Sequence, residues 1–273
     1  MGSIFPVCGS KIFIFLLETS YWRSLIPLMK TILIIGAASA IAEETAKLYA
    51  AEGHRLVLWG RNKEHLSSIG KNLEVLGATG IWEFEIDLDQ CDLHASKLDT
   101  TVSETGPIDV AIIAHGVLPD QAATQDDFPA IQASIHTNFL SYASLLTVLA
   151  QYFETRKSGT IASITSVAAD RGRKSNYVYG SAKAGASAFT DGLRGRLAAS
   201  GVHVVNIKPG MVDTPMTRHL KKGLLFASPE SVARGIAKAI QKKKSTAYVP
   251  GYWRLIMLII CLIPESIFKK MNF

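Results

Sequence analysis

From Thr31 onward, runs of four to six mostly apolar residues alternate with longer segments of helical period, and this alternation constrains the fold more than any other feature. The runs Ile32–Ile35, Arg55–Trp59, Ile81–Ile86, Asp109–Ile113, Thr160–Ile164 and Val202–Ile207 read as strands. Helical patterns fall between them, over Glu43–Glu52, Lys63–Leu76, about Asp92–Glu104, Pro129–Thr155 and Tyr177–Ser200. Gly53, Gly77 and Gly106-Pro107 supply the stops. Strands apolar on both faces need helices on both sides, so the pattern predicts a parallel sheet of about seven strands in one doubly wound Rossmann-type α/β domain. Its expected limits are 29–250, with 1–28 as an extension outside the core and 251–273 as a separate apolar and basic segment. In such sheets ligands bind beyond the carboxyl ends of the strands, where the strand order reverses.

Composition narrows the partners. Apolar residues make up 48% and charged residues 19% of the 273, which excludes a disordered chain. The net charge of +6 is spread along the chain without an aromatic-basic nucleic-acid signature, so no nucleic-acid partner is expected. Cys8, Cys91 and Cys261 have neither metal spacing nor disulfide pairing; no metal and a reducing, cytoplasmic compartment follow. The apolar run Ile12–Leu17 is too short for a membrane helix. Met29-Lys30 then leads directly into a strand, so Met29 is the expected natural start.

One helix carries the chemistry. Tyr179 and Lys183 lie four residues apart in Tyr179-Gly180-Ser181-Ala182-Lys183 and share a face. A phenol titrates near pH ~10, and a neighbouring ammonium favours its ionised form. The pair can then move a proton near neutral pH, with the Ser166 hydroxyl, thirteen residues upstream, holding the reacting oxygen. Tyr-x-x-x-Lys is short and common, so its surroundings decide between this chemistry and an ordinary helix.

Those surroundings contain a nucleotide-binding pattern. The first strand-to-helix turn reads Gly36-Ala37-Ala38-Ser39-Ala40-Ile41-Ala42, suited to bring backbone N–H groups to a pyrophosphate. Only its first glycine is kept, and Ala40 or Ala42 in a left-handed conformation would cost about 1–2 kcal/mol. Asp87, after the third strand, is placed to accept from an adenine amino group or, alternatively, to cap a helix. Arg61, after the second strand, tolerates a ribose 2′-phosphate where an acidic residue would select NAD, so NADP(H) is favoured over NAD(H).

These residues together resemble the short-chain dehydrogenase/reductase family over nearly all of 31–250. Its catalytic serine matches Ser166, its Tyr-x-x-x-Lys matches Tyr179 and Lys183, its helix asparagine matches Asn138, and its Pro-Gly turn matches Pro209-Gly210-Met211-Val212-Asp213-Thr214. Two turns depart from the pattern: Ala40 and Ala42 replace glycines, and Ile113-Ala114-His115-Gly116 stands where Asn-Asn-Ala-Gly is usual. The resemblance implies that Tyr179 protonates a carbonyl oxygen and that Lys183 lowers the Tyr179 pKa and binds the nicotinamide ribose. It also implies that Ser166 orients the substrate and that Asn138 supports a water relay. The implied cofactor contacts are Gly36, Ser39 and Ile41, then Arg61 and Asp87, then Ala114 and Gly116, and finally Pro209, Val212 and Thr214, with Tyr179 and Lys183. A homo-oligomer through the helices near 129–155 and 177–200 is implied as well.

The loops hint at the substrate. Arg171, Arg173 and Lys174 lie between Ser166 and Tyr179 and suit a phosphate clamp, or else a solvated basic loop. Arg218, His219, Lys221 and Lys222 add charge in the segment after the Pro-Gly turn. Leu255–Ile263 is an apolar run of nine residues between Trp253 and Lys269-Lys270. As a helix it rises only ~14 Å, too short to span a bilayer but suited to lie in the interface, or to pack on the domain or a partner subunit. The tail, Arg171-Gly172-Arg173 and Asn176–Ser181 resemble the decaprenylphosphoryl-2-keto-erythropentose reductase branch, which implies a lipid-linked or phosphorylated keto-sugar and peripheral contact with the cytoplasmic face of a membrane. The alternatives are a soluble reductase of a small ketone or 3-ketoacyl thioester, and a non-catalytic nucleotide sensor.

Overall fold

The computed structural model describes residues 29–271; the expected extension 1–28 lies outside the described residues. Seven strands form one wholly parallel sheet in the order β3-β2-β1-β4-β5-β6-β7. They are β1 Thr31–Ile35, β2 Arg55–Gly60, β3 Gly80–Glu85, β4 Val110–Ile113, β5 Thr160–Ile164, β6 His203–Pro209 and β7 Thr246–Val249. The order reverses between β1 and β4, and there the crevice for a ligand opens.

Alternate residues of each central strand feed two cores, as a parallel sheet covered on both sides requires. Ile32 and Ile34 point to one face, covered by α1 (Ala40–Ala51), α2 (Lys63–Val75) and α8 (Pro229–Gln241). Leu33 and Ile35 point to the other, covered by α3 (His94–Thr105), α6 (Ser141–Arg156) and α7 (Tyr177–Leu197). Helix starts follow capping chemistry: Asn62 accepts from the His65 N–H, and Ser228 from Ser231 with Pro229 in the first turn.

The long helix expected over 129–155 is α5 (Phe128–Ile135) running into α6 through one π turn at His136–Leu140, with Asn138 on that turn. Such bulges commonly mark functional positions. The helix α1 begins at Ala40, earlier than the expected Glu43, because Ser39 is extended and alanines at 40 and 42 favour the helix. Neither α8 nor β7 was expected individually; β7 begins on an exposed Thr246 and is only four residues long. A short α4 (Gln121–Thr124) follows β4, and beyond β7 the chain forms α9 (Trp253–Leu262) and α10 (Glu265–Phe268). Trp253, Met257, Ile260 and Phe268 pack on Val167 and Tyr248, so the inner face of this tail rests on the domain.

Candidate active site

At the switch between β1 and β4 lies a cavity of about 350 Å³. Gly36, Ser39, Ala40 and Ile41 of the first turn form one wall, with Arg61 and Asp87 beside them. Ala114, His115 and Gly116 form the facing wall, and Thr214 and Met216 approach from the segment after β6. Gly36 has φ +82°, and a methyl there would lie 2.7 Å from the His115 amide nitrogen, so glycine is required by the close approach of the β4 turn. Ala40 and Ala42 carry no such demand. Both lie in the right-handed first turn of α1, Ala42 fully buried in the core, and the feared left-handed strain does not arise.

The cavity fits a dinucleotide. The first-turn N–H groups of α1 have no intrahelical partner and make a natural anion site. The Ser39 hydroxyl makes no capping bond. The His115 Nδ1 is buried without a partner among the described residues. Asp87 spends one carboxylate oxygen on the Asp89 N–H at 3.1 Å, capping its own turn while lining the cavity. Arg61 is exposed at the rim.

The catalytic candidates do not line this cavity but sit against it. Ser166, at the end of β5, is buried and accepts from the Ala168 N–H at 3.0 Å. Lys183 is buried on α7, and its ammonium donates to the Ile164 carbonyl at 3.3 Å. Asn138 braces the β4 turn reciprocally: Nδ2 donates to the Val117 carbonyl at 2.9 Å and Oδ1 accepts from the Val117 N–H at 3.1 Å. Gly116 joins the two regions. A methyl there would fall 2.7 Å from Asn138 Oδ1 and 3.5 Å from Lys183 Nζ, so only glycine lets cavity wall, amide and amine meet.

Burial governs the charges here. It pushes the Tyr179 phenol up to about 12, against a smaller downward pull from its hydrogen bond with Ser166, and pushes the Lys183 ammonium down to about 7. The expected lowering of the Tyr179 pKa by Lys183 does not appear: burial raises it, the Ser166 hydrogen bond alone opposes that rise, and burial drives the amine itself towards neutrality. Tyr179 is protonated throughout the neutral range and is equipped first of all to donate.

The remaining candidates are distributed differently. Pro209 and Val212 are buried, Val212 bridging to Ala227, while Thr214 reaches the cavity and caps a short turn with Thr217. Arg171 is turned to the tail. Its guanidinium donates to the carbonyls of Ile260 and Ile263 at 2.5 and 2.7 Å, pairs with Glu265 at 2.9 Å and lies over the Phe268 ring. Arg173 keeps its Nε buried without a partner among the described residues, and Lys174 is exposed. Asp170 ties the start of this loop to the sheet through Lys208 at 2.6 Å and Tyr248 at 2.8 Å. Among the described residues no His, Cys, Asp and Glu group is placed to hold a metal.

Sequence reasoning passed over Tyr142, one turn after Asn138 on α6. Its ring lies 4.0 Å from Lys183 Nζ and 4.6 Å from the stacked His115 ring. An aromatic at that spacing from Asn138 was the available signal, indistinguishable in sequence from a core residue.

A doubly wound parallel sheet, a cradle at its switch point and a Ser-Tyr-Lys-Asn cluster against that cradle, buried but for the half-buried tyrosine, define a dinucleotide-dependent oxidoreductase class. The chain belongs to the short chain dehydrogenase family, whose model matches residues 30–224. It is 35% identical over 240 residues to an uncharacterized oxidoreductase of Mycobacterium tuberculosis, covering 88% of this chain and 96% of that protein. It is 28% identical over 227 residues to the ketoacyl reductase HetN of a Nostoc species, covering 81% and 78%. Its fold is similar to a short-chain dehydrogenase of Sphingobium yanoikuyae in complex with NADPH, at TM-score 0.73, 20% identity and coverage of 87% of this chain and 98% of that one. A short-chain type dehydrogenase/reductase of Mycobacterium marinum matches at TM-score 0.76 and 22% identity, over 85% of this chain and 98% of that one.

Proposed function

We propose that the protein is an NADP(H)-dependent reductase that converts a keto group into a secondary alcohol, with Tyr179 as the proton donor. The observation that carries this reading is the half-buried Tyr179, its phenol pushed up to about 12 beside Ser166 and next to a cavity suited to a dinucleotide. When bound, the nicotinamide supplies the hydride. Ser166 Oγ orients the carbonyl oxygen, the Tyr179 hydroxyl gives it a proton, and Lys183 and Asn138 hold the floor of the site. Gly36, Ser39, Ile41 and the helix N-terminus would hold the pyrophosphate, Asp87 the adenine, and Ala114, Gly116, Pro209, Val212 and Thr214 the nicotinamide half. Reduction suits a phenol that keeps its proton; the reverse direction needs the phenolate and is expected to gain speed steadily as pH rises through 8 to 10. A non-catalytic nucleotide sensor would show no turnover with any ketone.

Arg61 at the rim supports NADP(H), and the NADPH found in the Sphingobium protein agrees with it. Arg61→Ala is expected to weaken NADPH binding about tenfold and NADH binding less than twofold, since one exposed guanidinium contact to a phosphate is lost. Equal losses would remove the basis for the preference.

A lipid-linked or phosphorylated keto-sugar is the substrate we favour. Arg173, whose buried Nε has no partner among the described residues, suits an anion, with Lys174 nearby in sequence, whereas Arg171 anchors the tail. The outer face of α9 presents Leu255, Leu258, Ile259 and Leu262 to solvent at helical spacing, with exposed Lys269 and Lys270 beyond it. No helix among the described residues is long and apolar enough to cross a membrane, and this stripe suits peripheral contact with anionic lipid. Co-sedimentation with anionic vesicles tests the contact; full recovery in the supernatant would end it. A 3-ketoacyl thioester is the second reading, favoured by the relative named ketoacyl reductase. A panel of keto-sugar phosphates and ketoacyl thioesters, followed by nicotinamide absorbance, separates them. Homo-oligomerisation through α5, α6 and α7 is part of the proposal and is read by light scattering.

A further inference from the structure

Lys183 is buried with no carboxylate beside it: among the described residues it forms no ion pair, and its one hydrogen bond goes to the Ile164 carbonyl at 3.3 Å. An amine in that position loses its proton and its fixed position unless something other than a charge offsets the lost water. The offset present is aromatic. The Lys183 Nζ lies 4.0 Å from the centroid of the Tyr142 ring, inside the distance at which a ring face attracts a cation.

The ring itself is immobilised from two sides. The Tyr142 hydroxyl lies 2.7 Å from the His115 carbonyl and 2.9 Å from the Ile164 carbonyl, so its one proton is shared between them. Ile164 thus receives both the phenol and the ammonium, and the two groups are registered on the same oxygen. His115 stacks on Tyr142 at 4.6 Å and 30°. The Ser141 hydroxyl donates to the Leu88 carbonyl at 2.6 Å and must therefore accept at 2.9 Å from His115 Nε2–H. With Nδ1 buried and without a partner among the described residues, burial favours the neutral ring that carries its one proton on Nε2, so no second cation stands beside the amine. Burial holds His115 well below its ordinary value, with the Lys183 charge acting in the same direction.

We propose that Tyr142 is a positioning residue for Lys183: its ring face holds the ammonium group in place against the site, and the His115 stack and the two carbonyls hold the ring. This rests on the reading of Tyr179 and Lys183 as the proton-transfer pair. The titratable groups around Lys183 are His115 from the β4 turn, Tyr142 from α6 and Tyr179 from its own helix. Of these, Tyr142 presents its ring face to the amine, at 4.0 Å from the centroid.

The test replaces Tyr142 with phenylalanine and with mono-, di- and trifluorinated phenylalanine, which keep the ring's shape while fluorine weakens its face. Tyr142→Leu removes the ring. In each full-length protein the pH midpoint of Lys183 acylation is read by competitive labelling and peptide mass spectrometry, and the pH profile of kcat/KM is measured on the best ketone of the panel. The midpoint is expected to fall stepwise with fluorine and by about one pH unit in Tyr142→Leu, with kcat/KM near neutrality down about tenfold. Phenylalanine is expected to stay within about threefold of the wild type, because it keeps the ring. A midpoint unchanged across the fluorinated series overturns the proposal, even if Tyr142→Leu does not fold. Equal damage in Tyr142→Phe and Tyr142→Leu with an unmoved midpoint assigns Tyr142 a structural role through its hydroxyl and overturns it as well. Should the wild type reduce no ketone, the functional reading fails while the labelling midpoints still decide this one.

Discussion

The turns after β1 and β4 both depart from the short-chain dehydrogenase pattern, yet with different physical consequences. In the first, methyl groups replace hydrogens at Ala40 and Ala42, and the helix absorbs them. Both residues keep right-handed geometry, and Ala42 contributes to the core. In the second, His115 brings a half-buried ring that stacks on Tyr142 and stands near a buried amine. A backbone-level departure is neutral when the backbone never needed the exceptional conformation. A side-chain departure in a dry site rearranges the electrostatics around it.

The contrast can be broken by substitution. The largest effect is expected beside the second turn. Lys183 titrates at about 7 in the fold against 10.5 for a free lysine. Below pH 7 both folded and unfolded chains hold the proton, and the fold carries the whole desolvation cost. Between pH 7 and 10.5 the unfolded chain holds more protons, so stability rises with pH, and above 10.5 the difference is gone. Lys183→Met should therefore raise the unfolding free energy by on the order of 4 kcal/mol at pH 6, fading towards pH 10.5. A gain that does not vary with pH would show that the amine is not desolvated.

Gly36→Ala should cost about 3 kcal/mol in chemical denaturation, since it combines a positive φ with a clash against His115 that backbone cannot relieve. His115→Ala should cost about 2 kcal/mol through the lost stack and the space left behind, and loosen the Tyr142 ring. Ala42→Gly should cost about 1 kcal/mol and leave NADPH affinity within about twofold. An increase in affinity on restoring that glycine would mean that the first turn is compromised after all, and the contrast between the turns would collapse.

Much of this molecule was legible in its sequence because the signals were local. Strand runs such as Ile32–Ile35 and Thr160–Ile164 are apolar on both faces, and Tyr179 and Lys183 are one turn apart on a single helix. The cavity at the switch point was legible from Gly36 and from strand ends marked by Arg61 and Asp87, all of which line it. What was not legible depends on pairs distant in sequence. Tyr142 meets Lys183 only because α6 and α7 pack on the same face of the sheet. Arg171 reads as an active-site cation, but 94 residues later Glu265 claims it, together with the C-terminal carbonyls of α9. The direction of the Tyr179 shift was misjudged for a related reason: spacing shows that an amine is near but not that both groups have lost their water. Strand β7 was missed because four residues with one exposed end carry too little pattern.

The most direct measurement is NADPH-dependent ketone reduction by the wild type and by Tyr179→Phe, made beside the NADPH dissociation constant of each. Removing the one hydroxyl that carries the proton should lower turnover by about a thousandfold while leaving cofactor affinity within about twofold. Turnover retained in Tyr179→Phe would contradict the assignment of the proton donor and, with it, the chemistry built on this site.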